Sequence, residues 1–283
     1  MATDRQQVEG QDGGAYGSAV ATEGWRRGAA ARAQFLGPIT EMMLDLADIG
    51  PGSRVLDVGA GTGEQTLMAA HRVGPTGSVL ATDLAASMLA VAAEAARQAG
   101  LSSVETRVAD ARDLDLEPES FDAAISRLVL MLIPGRERAL AGIYRALKPG
   151  GKLAAIVPSS AEKNPLNALP RAIVRRHAGL PPPDEDPGIF ALGDPETLRA
   201  TYERAGFRGV DVRVVPTVRR FPSVAAAVQF RLDAGHEFAQ LMADLSDTAR
   251  AAAVAEIEAV VRRFEGADGV GEPAEYLIGV GTK

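Results

Sequence analysis

The chain has 283 residues, of which 46% are apolar and 24% charged, and its formal net charge is −7. This length provides for one large domain, or one domain with a cap, and the acidic balance argues against nucleic acid or an anionic membrane as a partner. The lack of cysteine excludes disulfides, a thiolate nucleophile and cysteine-ligated zinc, and the three histidines form no HExxH pair. No apolar run reaches the roughly 18 to 20 residues that span a bilayer. We therefore expect a cytoplasmic protein with no metal site and no membrane-inserted segment.

The N-terminal region is polar and rich in glycine, which predicts a disordered lead-in over residues 1–14. A helical lid is predicted over residues 15–50. Within it, the apolar spacing indicates helix from Gly24 to Leu46, with Pro38 in the first turn of a second segment.

From residue 51 onward, short apolar strands alternate with helices. We predict strands at Val55–Val58, Ser78–Thr82, Val104–Val108, Phe121–Ser126 and Leu153–Val157, and helices at Glu64–Val73, Ser87–Ala99 and Arg136–Leu147. This alternation indicates βαβ units with right-handed crossovers, and therefore a doubly wound α/β fold around a parallel sheet.

The pattern changes after the fifth strand. We predict a proline-rich, loop-dominated stretch at 163–188, a helix at Pro195–Ala205, a strand at Val210–Val215, helices over 224–264 and a last strand at Tyr276–Val280. The core then covers residues 51–283. Two insertions, at about 159–194 and 217–268, are expected to build a mostly apolar cap over a binding pocket.

The stretch "VLDVGAGTGEQT", residues 55–66, places glycines at the end of the first strand, where parallel sheets bind ligands. It is not a P-loop, which needs a lysine, and a dinucleotide fingerprint needs its third glycine one position later. Asp57 precedes the glycines and would repel a pyrophosphate, although it can equally act as a structural cap for the turn. The stretch therefore predicts a ligand without phosphate groups.

Two further acids end the next two strands. Asp83 lies 20 residues after Gly63, where a carboxylate can accept both hydrogen bonds of a ribose diol. Asp110, followed by Ala111, can accept from the exocyclic amine of a purine. Three acids beside a glycine-rich turn predict a nucleoside with a positively charged tail.

Four motifs in this order, "VLDVGAGTG", "ATD", "VADA" and "LKPGGKL", resemble those of class I S-adenosylmethionine-dependent methyltransferases, and most closely the small-molecule branch around the ubiquinone/menaquinone methyltransferases. The resemblance covers roughly Phe35 to Val157. It implies a Rossmann-like, seven-stranded sheet of order 3-2-1-4-5-7-6 with strand 7 antiparallel, a helical cap, and S-adenosylmethionine as the cofactor.

The resemblance also implies cofactor contacts. It implies Gly59, Ala60 and Gly61 under the methionine part, with Gly63 as a further cofactor-binding residue of the loop and Asp57 shaping it. It also implies Asp83 on the ribose, Leu84 and Met88 against adenine, Asp110 and Ala111 at the adenine amine, Ser126 and Arg127 near the sulfonium and substrate mouth, and Tyr16 and Trp25 on the lid. Trp25 could alternatively be a buried core residue, and Met88 could serve helix packing as well as adenine.

No catalytic base stands out. The stretch "SRLVLMLIP", 126–134, lacks the histidine pair that many relatives carry, and no NPPY-type motif of nucleobase or protein-amide methyltransferases is present. His177, His236 and Arg127 are the weak catalytic candidates, with structural roles as the alternative for the histidines. Arg219 and Arg220 are interpreted as a solvated strand end, with contact to an acidic substrate as the alternative.

The expected activity is methyl transfer to an O, N or C atom of a small, partly hydrophobic molecule, such as a quinone, a polyketide or another secondary metabolite. One alternative is a protein of the same fold that catalyses a non-methylating step such as a cyclisation. A nicotinamide oxidoreductase is the third hypothesis, and both Asp57 and the glycine spacing oppose it. We expect a monomer or homodimer.

Overall fold

The computed structural model describes residues 19–180, 188–233 and 236–283. Its strands form one sheet of order β3-β2-β1-β4-β5-β8-β6, with the short β7 paired to β8. The strands are β1 (Arg54–Val58), β2 (Ser78–Asp83), β3 (Val104–Val108), β4 (Phe121–Arg127), β5 (Leu147–Pro158), β6 (Arg208–Phe221), β7 (Glu265–Gly266) and β8 (Gly269–Thr282). The first five strands are parallel, and β8 is antiparallel to both β5 and β6. The predicted order is confirmed, since β8 is the predicted seventh strand.

Helices cover both faces of the sheet. They are α1 (Ala19–Arg27), α2 (Ala29–Leu46), α3 (Glu64–Val73), α4 (Ala86–Gln98), α5 (Arg136–Ala146), α6 (Pro165–His177), α7 (Pro195–Arg204), α8 (Val224–Asp233), α9 (His236–Ala243) and α10 (Asp247–Val261). Because strand side chains alternate between faces, Val55 packs in the cluster with α2, α3 and α6, whereas Leu56 packs in the cluster with α5 and α7. The alternation therefore explains why the core strands are apolar throughout.

The N-terminal helix differs from its prediction in two ways. It is divided at Gly28, where an added Cβ would lie 2.7 Å from Arg32 Nη1 and 3.3 Å from the Phe230 ring. Pro38 lies inside α2 rather than in the first turn of a second segment. The helix tolerates the lost hydrogen bond because its apolar face, which includes Leu36 and Met43, is fully buried.

The prediction of a loop over 163–188 is wrong for its first half, where α6 forms. Pro165 occupies the first turn of this helix, where a missing N–H removes no hydrogen bond, and Pro170 is carried inside it. Leu166, Ile173 and Val174 are buried at helical spacing. The prolines led to the loop prediction, although the apolar periodicity already indicated a helix.

Strands β6 and β8 form an antiparallel pair that is much longer than predicted, with 14 residues in each strand, and helices α8 to α10 lie between them in the chain. Pairing of β8 with β5 ends at Pro158–Tyr276, whereas pairing with β6 continues to Phe221–Val270. The end of the β6–β8 pair therefore extends past the carboxyl edge of the parallel strands. Helices α6, α8 and α10 pack against one another above this edge.

Candidate cofactor and substrate site

The glycine-rich loop, residues 59–63, connects β1 to α3 at the carboxyl edge of the sheet. Gly59 and Gly63 have φ angles of +74° and +88°. A Cβ on Gly59 would lie 2.4 Å from Val129, and one on Gly63 would lie 2.7 Å from Ala92 of α4. Both positions therefore need glycine for conformation and for close packing. A Cβ on Gly61 would meet only Trp25 Nε1 within 4 Å, at 3.6 Å, so this side of the loop is open beneath the tryptophan.

Asp57, near the end of β1, connects the glycine-rich loop to α3 through hydrogen bonds. Its side chain is fully buried and accepts hydrogen bonds from Thr66 Oγ1 at 2.6 Å and from Gln65 Nε2 at 3.2 Å. Gln65 Nε2 also lies 3.3 Å from the Ala60 carbonyl oxygen. Burial raises the pKa of Asp57 to about 6, although the two hydrogen bonds act in the opposite direction. The carboxylate therefore shapes the loop, as one of the two sequence interpretations expected.

Asp83 connects the loop to the helix that follows β2. Its Oδ2 accepts from the Gly61 backbone N–H at 2.8 Å, and its Oδ1 accepts from that of Ala85 at 2.9 Å. The side chain is partly exposed, and each oxygen keeps a lone pair that a further donor can use. Leu84 is 44% exposed beside it, and Met88 of α4 lines the cavity described below.

Asp110 forms a local ion pair. It accepts from the Arg112 backbone N–H at 2.8 Å and from the Arg112 guanidinium at 2.6 Å, and these contacts hold its pKa below the ordinary value. Ala111 begins the short 3₁₀ turn that the Asp110 side chain caps. A ligand amine at Asp110 would therefore compete with Arg112.

Ser126 and Arg127 end β4 beside the glycine-rich loop, and both side chains are engaged within the protein. Ser126 is fully buried, and its Oγ donates to the Val58 carbonyl at 2.9 Å. Arg127, 6% exposed, donates to Glu64 at 2.6 Å and to Thr40 at 3.2 Å. Both side chains tie β4 to its neighbours and neither lines the cavity described below, and their position near the sulfonium and substrate mouth stays a prediction. Leu128, with a positive φ of 60°, lines the cavity instead.

Helix α1 lies over the glycine-rich loop. The Arg32 guanidinium carbon lies 3.9 Å from the centroid of the Trp25 ring, and Arg32 donates both to the Trp25 carbonyl and to Glu64 at the start of α3. Thr22 Oγ1 lies 2.8 Å from Ser87 Oγ on α4. Trp25 is thereby held between the loop and the cavity. Tyr16, the other predicted lid residue, lies outside the described residues.

A cavity of about 280 Å³ lies between α1, α2, α6, α8 and the β6–β8 pair. Its walls are mainly apolar and include Phe35, Leu128, Met131, Leu166 and Phe230. Among the described residues, its charged lining consists of five arginines and Asp233. Asp233 pairs with Arg27 at 2.6 Å. The cavity therefore combines an apolar interior with a positively charged lining.

The far end of this cavity contains a buried ion-pair network that the sequence interpretation missed. Glu272 of β8 is fully buried and bridges Arg219 of β6 and Arg231 of α8, which are 4% and 7% exposed. Arg219 Nη2 also donates to Asn167 Oδ1 at 2.8 Å. The interpretation of Arg219 as solvated is wrong, whereas Arg220 is exposed as expected. The available signal was an acid, Glu272, among the apolar residues near the start of the last strand.

Tyr276, also missed, lines the cavity and is 2% exposed. Burial raises the pKa of its hydroxyl, although the Arg219 guanidinium opposes this shift. Tyr276 therefore adds a polar side chain to the part of the cavity that Arg219 lines.

The histidine candidates lie elsewhere or cannot be placed. His177 Nε2 is 3.2 Å from Glu256 Oε2 on α10, and the histidine does not line the cavity. The side chain of His236 is outside the described part of the chain. Arg127 is a paired guanidinium and has no lone pair with which to accept a proton. Neither His177 nor Arg127 is thus placed as a catalytic base.

The sheet order, the GxGxG loop and the acid of β2 bound to that loop together define a Rossmann-like nucleoside-binding domain of the class I methyltransferase type. Comparison with known proteins agrees. The family described as a methyltransferase domain matches residues 55–151. The ubiquinone/menaquinone biosynthesis C-methyltransferase UbiE of Escherichia fergusonii is 34% identical over 179 residues, which cover 59% of this chain and 71% of the relative.

Other matches are more partial. The nocamycin O-methyltransferase of Saccharothrix syringae is 36% identical over 120 residues, 42% of this chain and 43% of that protein, so the chain spans less than half the length of this relative. A methyltransferase structure from Aquifex aeolicus matches with a TM-score of 0.54 and 23% identity, covering 69% of this chain and 91% of the other. The [4+2]-cyclase SpnF matches with a TM-score of 0.50 and 23% identity, covering 87% and 80%.

The chain belongs to the class I S-adenosylmethionine-dependent methyltransferases, as its motifs predicted. The cofactor that defines this family is S-adenosylmethionine. Within residues 19–180, 188–233 and 236–283, none of the helices combines the length and apolar character needed to cross a bilayer. The same ranges contain no cluster of three or more His, Asp or Glu side chains arranged to hold a metal ion.

Proposed function

We propose that this protein transfers a methyl group from S-adenosylmethionine to an O, N or C atom of a small, partly hydrophobic molecule bound in the cavity. The observation that carries this proposal is the position of Trp25, whose Nε1 would lie 3.6 Å from a Cβ on Gly61 and which also lines the cavity. A cofactor on the glycine-rich loop and a substrate in the cavity would therefore meet beside one side chain.

The described residues fit the cofactor. The backbone at Gly59, Ala60 and Gly61 would pass beneath its methionine part, and the open side of Gly61 provides the room. Asp83 would accept from the ribose diol with its remaining lone pairs. Leu84 and Met88 would contact the adenine, and Asp110 with Ala111 would receive its amine after Arg112 is displaced. Asp57 and Gly63 would act through the shape of the loop.

When bound, the cofactor would supply an electrophilic methyl group, whose carbon would take the acceptor's lone pair while the carbon–sulfur bonding pair would stay on sulfur. The chain contributes orientation and a dry environment, since the apolar walls exclude solvent. Among the described lining residues, the single carboxylate, Asp233, is engaged by Arg27. The acceptor is therefore one that needs little help from a base, either a neutral amine or a group that is already ionised.

We also propose that the protein acts in the cytoplasm, as a monomer or homodimer, without a nucleic-acid partner. The net charge of −7 supports the last point, since a nucleic-acid surface requires a positive field.

The proposal is tested by titrating the protein calorimetrically with S-adenosylmethionine and, as a control, with NADH. We expect the protein to bind S-adenosylmethionine and not NADH. Transfer of a radiolabelled methyl group to members of a panel of quinones, polyphenols and amines then identifies the acceptor class. Binding of NADH without binding of S-adenosylmethionine would refute the proposal.

A non-methylating step, such as a cyclisation, is the second candidate. It is favoured by the scarcity of bases among the described cavity residues, because a cyclisation of a polarised substrate needs none. Stoichiometry separates the two, since methyl transfer consumes one cofactor molecule for each product and a cyclisation consumes none.

A further inference from the structure

We propose that the substrate carries an oxyanion, such as a carboxylate, and that Arg219, with Arg231 beside it, binds this group at the end of the cavity formed by the β6–β8 pair. This inference rests on the proposed function, because it names the substrate class of the same cavity. It assigns the anion a role in anchoring the substrate, separate from the methyl acceptor.

The first support is the charge of the ion-pair network. Arg219 and Arg231 share the single carboxylate of Glu272, so two guanidinium groups and one carboxylate leave a net charge of +1 in a buried place. An uncompensated buried charge is unfavourable, and a ligand of opposite charge would remove this penalty. The net positive charge is found inside a chain whose total charge is −7.

The second support is an unused hydrogen-bond donor. Arg219 is 96% buried, and its Nε–H is buried with no acceptor among the described residues. The remaining contacts of its guanidinium are the hydrogen bonds from Nη2 to Glu272 and Asn167, a contact with the Tyr276 hydroxyl and a position over the Phe35 ring. Buried donors are normally satisfied, so the Nε–H of a residue that lines a cavity indicates a ligand acceptor there. Arginine is also the side chain best suited to bind a carboxylate in a dry site.

The third support is the distance from the reacting end. Leu128 follows β4 beside the glycine-rich loop, whereas Arg219 lies on β6, three strands away in the sheet order. At the usual strand spacing this separation is about 14 Å. The wall between them includes Phe35, Leu166 and Phe230. The cavity therefore suits an elongated molecule with an apolar body, an acceptor atom at one end and an anion at the other.

The competing explanation is purely structural, namely that the ion-pair network holds α8 against strands β6 and β8. The two explanations differ in their response to ligand charge. A structural network affects stability and treats a carboxylate and its amide alike, whereas a binding site prefers the carboxylate.

The probes are decanoate and decanamide, which share one alkyl chain and differ in charge. Trp25 is the only tryptophan and lines the cavity, so its fluorescence can report binding, and calorimetry confirms the affinities. A charge-assisted hydrogen bond predicts that decanoate binds the wild-type protein at least about tenfold more tightly than decanamide. Equal affinities, or no binding of decanoate by protein that binds S-adenosylmethionine, would overturn the proposal.

Three variants assign the preference to the network. Arg219→Gln brings the net charge of the network to zero and should reduce the preference to about twofold or less. Adding Glu272→Gln to that variant restores a net charge of +1 through Arg231 and should recover part of the preference, and it also avoids an unpaired buried carboxylate. Arg220→Gln, on the adjacent exposed residue, is the matched control and should leave the preference unchanged.

A folded Arg219→Gln protein that still prefers decanoate over decanamide as strongly as the wild type would also contradict the proposal. If that variant does not fold, the double variant decides. Its network has a net charge of +1, so equal affinities for decanoate and decanamide would contradict the proposal. The probes are measured without cofactor, so failure here is distinct from failure of the proposed function, which would appear as lack of S-adenosylmethionine binding.

Discussion

Replacement of Asp83 by alanine removes both the predicted ribose acceptor and the acceptor of two backbone hydrogen bonds. In the structure the carboxylate receives the N–H groups of Gly61 and Ala85 at 2.8 and 2.9 Å. The variant should therefore lose cofactor affinity directly, and indirectly through a less ordered loop. The loss of cofactor affinity and the loss of loop order can be measured separately, so this variant tests both roles of Asp83.

The expected magnitudes follow from these contacts. A hydrogen bond to a charged group contributes about 1.5–3 kcal/mol, so loss of even one ribose contact weakens binding by more than about tenfold. Loss of the acceptor for the N–H groups of Gly61, which is partly exposed, and of Ala85, which is buried, should lower the free energy of unfolding by about 1–3 kcal/mol. Asp83→Asn keeps one acceptor oxygen in the same shape, and it should lie between the wild type and Asp83→Ala in both quantities.

Calorimetric titration with S-adenosylmethionine measures the first effect and urea denaturation without ligand measures the second. Asp113→Ala serves as the control, because Asp113 is an exposed acid of the neighbouring turn. An Asp83→Ala protein that is folded and binds S-adenosylmethionine with unchanged affinity would refute the assignment of the ribose to this carboxylate.

Three further predictions concern the residues around the loop. Because the pKa of Asp57 is raised to about 6, its burial opposes folding increasingly as the pH rises from about 4 to 6. Urea denaturation should therefore show the wild type losing about 3 kcal/mol relative to Asp57→Asn across that range, and a constant difference would contradict the raised pKa. Glu64→Gln removes the counter-charge of two buried guanidinium groups and should lower the free energy of unfolding at pH 7 by about 3–5 kcal/mol, while a loss below 1 kcal/mol would count against a buried network. Gly59→Ala should be less stable than Gly74→Ala by about 1–3 kcal/mol, because both glycines have positive φ and only the first would clash, and equal thermal stability would argue against the close packing.

The sheet could be predicted from the sequence because each of its core strands is recognisable from a few neighbouring residues. Each core strand is a short apolar run with a helix after it, and right-handed crossovers leave few arrangements. The position of Asp83 followed from the same logic, since a residue that ends a parallel strand lies at the ligand-binding edge. By contrast, the contacts of Asp57 depended on Thr66 and Gln65, which the strand pattern alone does not connect to it.

The cap could not be predicted in the same way, because its elements are defined by tertiary packing. Proline-rich composition masked α6, and the apolar periodicity of β6 is interrupted by arginines whose inward or outward direction depends on α8. Arg219 and Arg220 are adjacent in sequence, yet one is buried against Glu272 and the other is exposed, as the two-residue alternation of a strand requires. The sequence thus predicts the cofactor side of the site, whose geometry comes from the backbone of a common fold. The substrate side depends on which charged side chains the cap buries, and neither the strand pattern nor the motifs of the common fold predict that choice.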